Sequence, residues 1–169
     1  MKRVALGACC LAVGAMAFAA DLEEETSDAD QWYVGIAGQL MLPQGGSQLH
    51  HVGGAAFRGG CYLTENWAVE GEAAWLEDEA GLALDALGHF QGWDFYGDLF
   101  GYSQFDPFVT LGARGWLGRR GQVGPKAGLG AFYHLTDEWA LRADADATLG
   151  LETRCEMLYS ISVGVQYSF

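Results

Sequence analysis

The sequence predicts an all-β fold, an eight-stranded antiparallel up-and-down β-barrel, and three observations lead to this prediction. The chain has 169 residues, of which 50% are hydrophobic and 18% charged, a composition that suits one domain. Apolar residues alternate with polar or small ones over many segments, which is the period of a β-strand. After the N-terminus no stretch approaches the roughly 18 uninterrupted apolar residues that a membrane-spanning helix needs. Helical membrane proteins are therefore excluded.

The charge balance excludes a second class of protein. Acidic residues outnumber basic ones by 22 to 9, which gives a formal net charge of -13. Such a chain is repelled by the phosphates of DNA and RNA. We therefore expect no nucleic-acid partner.

The N-terminus has the layout of a secretory signal peptide. Lys2 and Arg3 precede an apolar run from Val4 to Ala19, and small residues before position 20 suit a signal peptidase. An acidic stretch with few bulky residues follows, and we expect it to be disordered. The predicted organisation is a cleavable signal peptide at 1–19, an acidic lead at 20–31 and a barrel domain at 32–169.

The strands are predicted in order from alternation and turns. The first and last segments alternate with period two, and the last ends at Phe169. In between, Leu63–Ala73 nearly repeats as Leu135–Ala145, and each copy contains a strand, a tight polar turn and another strand. The predicted strands are 32–42, 51–63, 67–76, 92–102, 107–117, 124–135, 139–148 and 157–169.

The predicted connections alternate between short turns and longer loops. The longest loop is 77–91, where 80–87 could form a short helix, and a tight connection at 103–107 is expected to join the fourth and fifth strands. If the termini face the periplasm, the longer loops lie outside. These predicted outer loops are 43–50, 77–91, 118–123 and 149–156.

On every charged strand the charges lie on the face opposite the apolar residues. Glu70 and Glu72 lie opposite Trp67 and Trp75, for example. A soluble barrel would bury its apolar face. Here the strands have roughly 10 residues, are even in number and are joined by alternating short and long connections, which predicts a transmembrane barrel with apolar residues toward lipid. The interior of an eight-stranded barrel is filled by side chains. The predicted lumen network is Arg58, Glu70, Glu72, Asp94, Asp98, Arg114, Lys126, Arg142, Asp144 and Asp146.

The C-terminus carries a resemblance to a known family. The last strand keeps apolar residues at alternate positions up to the terminal Phe, and it resembles the C-terminal strand of bacterial outer-membrane barrels. With the signal peptide and the alternating strands, the chain resembles small eight-stranded barrels of the OmpA/OmpX type. The resemblance implies that the terminal strand is read by the barrel assembly machinery. The residues of that signal are Ile161, Val163, Val165, Tyr167 and Phe169.

The function expected from these features is a non-enzymatic protein of the bacterial outer membrane. Its lumen would be plugged by side chains, and a structural or adhesive role would be carried by the outer loops. The expected partners are outer-membrane lipid and lipopolysaccharide, with the assembly machinery during insertion. We expect no cofactor, metal or catalytic residue. The extracellular partner is left open.

Two alternatives belong to other classes. Some outer-membrane barrels modify lipid A, and the spacing of His134 and Thr136 resembles the base and nucleophile of the deacylase kind, with Thr in place of Ser. The repeat aligns Thr136 with the turn residue Thr64, which favours a turn. The other alternative is a soluble periplasmic barrel that binds a ligand, in which the apolar faces would point inward.

Overall fold

A computed structural model describes residues 31–43, 52–77, 79–90, 104–117, 122–151 and 157–169 as one closed barrel. Each strand pairs antiparallel with the next along the chain, and the first pairs with the last. The predicted all-β, eight-stranded antiparallel barrel is confirmed. The strands are β1 (Trp32–Pro43), β2 (Val52–Thr64), β3 (Trp67–Leu76), β4 (Glu79–His89), β5 (Phe105–Leu117), β6 (Val123–His134), β7 (Trp139–Leu149) and β8 (Met157–Ser168).

The internal repeat forms two hairpins with the same turn chemistry. Thr64 Oγ1 accepts a hydrogen bond from the Asn66 backbone N–H at 3.3 Å, and Thr136 Oγ1 accepts one from the Trp139 N–H at 3.0 Å. A threonine hydroxyl that binds the backbone two or three residues later stabilises a tight turn. Each Leu-Thr-acidic-x-Trp segment therefore forms a tight turn that joins two neighbouring antiparallel strands.

The predicted fourth strand is wrong. The segment 79–89, predicted as part of a loop with a short helix, forms β4, while 91–103 lies outside the described residues. Its alanines and leucines favour a helix by only tenths of a kcal/mol each, whereas β4 pairs with a neighbouring strand on both sides along nearly its whole length. Period-two alternation was the stronger signal, because Leu82 and Leu84 face outward and Asp85 faces inward.

The new position of β4 changes the connections between strands. β3 ends at Leu76 and β4 begins at Glu79, and Glu77 between them has a φ of 43° in the left-handed region. The connection from β4 to β5, residues 90–104, is the longest between strands in sequence, and β4 ends and β5 begins at the end of the barrel that holds Trp32 and Phe169. We call this the terminal end and the opposite one the far end. The predicted outer loop 77–91 and the tight connection at 103–107 are both wrong.

The lumen is layered from one end to the other. An apolar cluster fills each end, and charged side chains lie between the two clusters on every strand that carries them. On β3, for instance, Ala68 belongs to the terminal cluster, Glu70 and Glu72 follow, and Ala74 belongs to the far cluster. The terminal cluster is Tyr33, Ala68, Leu87, Phe108, Phe132 and Ala140, with Tyr62 packed against it. The far cluster is Met41, Ala56, Ala74, Leu76, Trp116 and Leu158, with Val52 packed against it.

Inward-facing glycines make room for the largest of these side chains. A Cβ atom on Gly60 would lie 2.5 Å from the Tyr33 ring and from the Val69 carbonyl oxygen. On Gly81 it would lie 2.5 Å from the indole of Trp116. Since both distances are well below van der Waals contact, each aromatic ring occupies the space that a side chain at its register partner on the adjacent strand would fill.

The outer surface is apolar. Leu111, Leu129 and Val163 are each more than 60% exposed near the middle of their strands, and Trp32 and Trp75 are equally exposed near the two ends. Among the described residues no helix has the length and apolar character needed to span a bilayer. The barrel thus exposes large apolar side chains, which most folds bury, and buries charged side chains, which most folds expose.

Substitution of an inward glycine tests this packing. We expect Gly60→Ala to lower the free energy of unfolding by about 1–3 kcal/mol, because the added methyl group overlaps the Tyr33 ring and a backbone carbonyl. The measurement is urea unfolding of the refolded barrel in detergent micelles. Gly53→Ala is the matched control, since a Cβ atom there meets nothing within 4 Å. Equal stability of the two variants would contradict the packing argument.

Candidate functional site: the charged lumen

Nine charged side chains fill the lumen between the two apolar clusters, and we call them the lumen network. All are at most 9% exposed. Of the residues predicted for the lumen, only Asp94 and Asp98 are missing, since they lie outside the described residues. The structure adds Asp85, which the sequence analysis assigned to a loop. The lumen network is Arg58, Glu70, Glu72, Asp85, Arg114, Lys126, Arg142, Asp144 and Asp146.

Arg58 on β2 reaches two carboxylates and a hydroxyl. Its Nη1 and Nη2 donate to the two oxygens of Asp144 at 2.9 and 3.1 Å, and its Nε donates to Glu72 at 2.9 Å. Nη2 also donates to Ser162 Oγ at 2.7 Å, and Ser162 donates back to Asp144 at 2.9 Å. Arg58 therefore connects β2, β3, β7 and β8 across the lumen.

Arg142 on β7 makes the contact nearest the terminal cluster. Both of its terminal nitrogens donate to Glu70, and its Nε donates to Asp144 at 2.9 Å. The guanidinium also lies over the rings of Phe108 and Phe132, 4.8 and 5.2 Å from their centroids. Two aromatic faces add cation–π attraction to the ion pair. Arg142 thus joins the charged layer to the apolar one.

Arg114 on β5 makes the equivalent ion pairs and aromatic contact next to the far cluster. Its Nη1 and Nη2 donate to Asp146 at 2.7 and 3.2 Å, and Nη2 donates to Glu72 at 2.6 Å. Nη1 also donates to Ser160 Oγ at 3.0 Å. The guanidinium lies 5.5 Å from the ring of Trp116, which belongs to the far cluster. Paired guanidiniums therefore lie next to the aromatic residues of both clusters.

Lys126 on β6 has one close partner. Its Nζ donates to Asp85 Oδ2 at 2.6 Å, while Glu72 and Asp146 are 3.8 Å away. Lys126 and Asp85 lie on strands separated by β5, where Gly112 is the register partner of both. Because a Cβ atom on Gly112 would overlap Asp85 Oδ1, glycine at this position lets the carboxylate reach across β5.

This arrangement pairs the buried carboxylates with cationic side chains. The pairs Glu70/Glu72 and Asp144/Asp146 have the spacing of an acid–base couple or a cation site, but each of these carboxylates accepts hydrogen bonds from at least one guanidinium. Within the described ranges no group of histidine, cysteine or acidic side chains has the arrangement of a metal site. The geometry is that of a buried ion-pair network.

A separate pair lies inside the terminal cluster. His89 Nδ1 is 2.7 Å from Asp106 Oδ2, and both residues are 3% exposed. The imidazole stacks on Phe132, with the ring centroids 5.7 Å apart. Sequence analysis missed this pair because it placed the fourth strand too late in the chain. The alternation of Leu82, Leu84 and Asp85 was the signal that could have found it.

His134 and Thr136 do not form a base–nucleophile pair. The His134 ring lies 6.3 Å from the lumen residue Phe132, so it is on the inner side of the wall. Thr136 is in the turn after β6, where its Oγ1 accepts hydrogen bonds from the backbone N–H groups of Glu138 and Trp139. The turn explains the threonine that the repeat places at this position.

The last strand presents its apolar alternation to the outside. Ile161, Val163 and Val165 are exposed on the outer face of β8, as is the terminal Phe169 at 70%. Tyr167 contacts Trp139 on β7 and Phe169, with ring centroids 4.9 and 5.2 Å apart. An aromatic group therefore covers the β7–β8 wall at the terminal end.

Three solved structures show the same barrel at low sequence identity. The N-terminal β-barrel domain of Pseudomonas aeruginosa OprF is 18% identical, with a TM-score of 0.55 over 81% of this chain and 97% of that domain. Neisserial surface protein A is 15% identical, with a TM-score of 0.57 over 86% and 100%. Ail, the attachment invasion locus protein of Yersinia pestis in complex with the heparin analogue sucrose octasulfate, is 13% identical, with a TM-score of 0.56 over 85% and 100%.

These likenesses define the class of fold. The chain has the fold of small eight-stranded outer-membrane β-barrels, and the predicted resemblance is confirmed at that level. No family model and no curated protein matches the sequence.

Removal of one partner from the network tests its energetics. We expect Glu70→Leu to destabilise the barrel by about 3–5 kcal/mol, because it leaves the guanidinium of Arg142 buried with one partner fewer. Adding Arg142→Leu should recover part of that loss, since the uncompensated charge is then gone. Unfolding in urea, followed by tryptophan fluorescence, measures both variants. A double variant less stable than Glu70→Leu alone would contradict this account.

Proposed function

We propose that this protein is a non-enzymatic β-barrel of the bacterial outer membrane with a sealed lumen and a mainly structural role. The proposal depends on one observation: a paired ionic network lies inside the barrel, and an apolar surface lies outside it. An apolar outer surface of this extent is unfavourable in water and favourable in lipid. The alternative of a soluble ligand-binding barrel needs the opposite arrangement.

The dimensions of the outer surface agree with a membrane span. Trp67 and Trp75 lie near opposite ends of β3 and are both exposed, as expected for rings at the two membrane–water interfaces. Eight residues of strand cover about 26 Å at about 3.3 Å per residue, or about 20 Å along the membrane normal with a tilt of about 40°. This is close to the apolar band of about 25 Å found in outer-membrane barrels.

The sealed lumen is supported by its layering. Each apolar cluster closes one end, and the charges between them are held by hydrogen bonds that connect opposite walls, such as Arg58 to Asp144 and Arg114 to Glu72. A permeant ion would have to separate these pairs in a medium of low dielectric constant, which is costly. An ion pathway is therefore not expected in the resting barrel.

The short connections between strands at the far end favour a structural role over an adhesive one. If the termini face the periplasm, the connections that face outward are 44–51, 77–78, 118–122 and 150–156. These are short, and the longest connection lies at the other end. The name of Ail, an attachment invasion locus protein, and its complex with a heparin analogue favour an adhesive role. In this chain, however, the connections that would face outward are short. The partners we propose are membrane lipid and lipopolysaccharide.

Conductance tests the sealed lumen. We expect the mature protein, refolded into lipid vesicles and fused with a planar bilayer, to show no stepwise conductance, because ion pairs and apolar clusters fill the lumen. Heat-dependent gel migration of the same vesicles verifies that the barrel has folded. A steady conductance from folded protein would refute the sealed lumen, and folding in plain aqueous buffer without detergent or lipid would refute the membrane barrel.

Deletion of Phe169 tests the proposed assembly signal. We expect export to continue while insertion into the outer membrane falls severalfold, because the exposed terminal ring is the last member of the apolar alternation on β8. Cell fractionation and heat-dependent gel migration measure the two steps separately. Leu135→Ser is the matched control, since Leu135 is also exposed at the terminal end but lies outside the last strand. Normal insertion of the truncated chain would contradict the role of Phe169.

A further inference from the structure

The lumen network carries more negative than positive charge. Among the described residues it has four cationic side chains, Arg58, Arg114, Lys126 and Arg142, and five carboxylates. Asp106 is a further buried acid, but it has its own partner in His89. A net charge enclosed between two apolar clusters is expensive, so it needs a compensating charge. A proton is the smallest group that can supply one.

Of the five carboxylates in the lumen network, Asp85 is the one that accepts no hydrogen bond from a guanidinium. Glu70, Glu72, Asp144 and Asp146 each accept hydrogen bonds from one or two guanidiniums. Asp85 receives none of these, and its partner is the ammonium of Lys126 at Oδ2. Its Oδ1 is buried with no hydrogen-bond partner.

The neighbours of Asp85 make a second negative charge there unfavourable. In the β3–β4 register its direct partner is Glu70, so two carboxyl groups on the same face lie opposite each other. In the β4–β5 register its partner is Gly112, which has no side chain. The charged groups facing it are Glu70 and Glu72 from β3, Arg114 from β5, Lys126 from β6 and Asp146 from β7.

We infer that Asp85 holds one proton in the folded barrel, taken from water when the lumen closes, so that the lumen network is electrically neutral. The charge count and the opposed carboxyl groups favour a neutral acid at this position. Two carboxyl groups that lie close together in a buried site disfavour ionisation of both. The inference goes beyond the proposed structural role, because it makes the stability of the barrel sensitive to pH.

Infrared spectroscopy tests the proton directly. We expect the folded protein at neutral pH to show the carbonyl band of a protonated carboxyl group, which shifts on labelling with ¹³C-aspartate and disappears in Asp85→Asn. Asp146→Asn is the matched control and should keep the band, because Asp146 is paired by Arg114 through both oxygens. Absence of the band from the wild type, or its survival in Asp85→Asn, would overturn the inference.

The pH dependence of unfolding gives an independent measurement. A folded state that binds one proton more than the unfolded state loses stability as the pH rises, so the unfolding equilibrium constant should increase about tenfold per pH unit from about pH 5 until Asp85 ionises in the folded barrel, and then level off. Asp85→Asn should remove this dependence. If a bound cation compensates the charge instead, stability will rise with sodium chloride and not with acid, which would also overturn the inference. If Asp85→Asn does not fold, the labelled wild-type band still decides, and the conductance test of the sealed lumen is unaffected.

Discussion

The pairing of buried charges is the constraint on which the rest of this barrel depends. Side chains from β2, β3, β4, β5, β6 and β7 bring ionic groups into one narrow space, where water cannot solvate them. Each charge must therefore meet an opposite one with good geometry. Arginine meets this demand best, because its planar group can bind one carboxylate through two nitrogens and still reach another. Arg58, Arg114 and Arg142 all do this.

The apolar clusters and the glycines follow from that constraint. The clusters lie on either side of the charged layer, and an apolar environment strengthens each ion pair and raises the cost of breaking one. The large rings of Tyr33 and Trp116 fit into this eight-stranded barrel because their register partners on the adjacent strands, Gly60 and Gly81, have no side chain. The abundance of glycine in this sequence has a packing reason as well as a conformational one.

The same inversion relates structure to function. A barrel with an ionic interior has its apolar residues outside, and the surface that results is suited to lipid. Its walls are connected by bonds through the lumen as well as by the ladder between strands, since Arg142 on β7 binds Glu70 on β3. Such cross-bracing favours a rigid body, while the short connections at the far end leave little chain for recognition. This cross-bracing is the architectural basis of the structural role that we propose.

The sequence alone determined the barrel, its strand number and the inward face of most charged strands, because period-two alternation is a local property that needs no partner. It failed at β4, where alanine and leucine favour a helix locally and only pairing with β3 and β5 decides otherwise. That error hid Asp85, His89 and the true ends of two connections. Which carboxylate meets which guanidinium was decided only by the tertiary structure, since pairs such as Glu70 and Arg142 are 72 residues apart in the chain and meet through barrel closure and register.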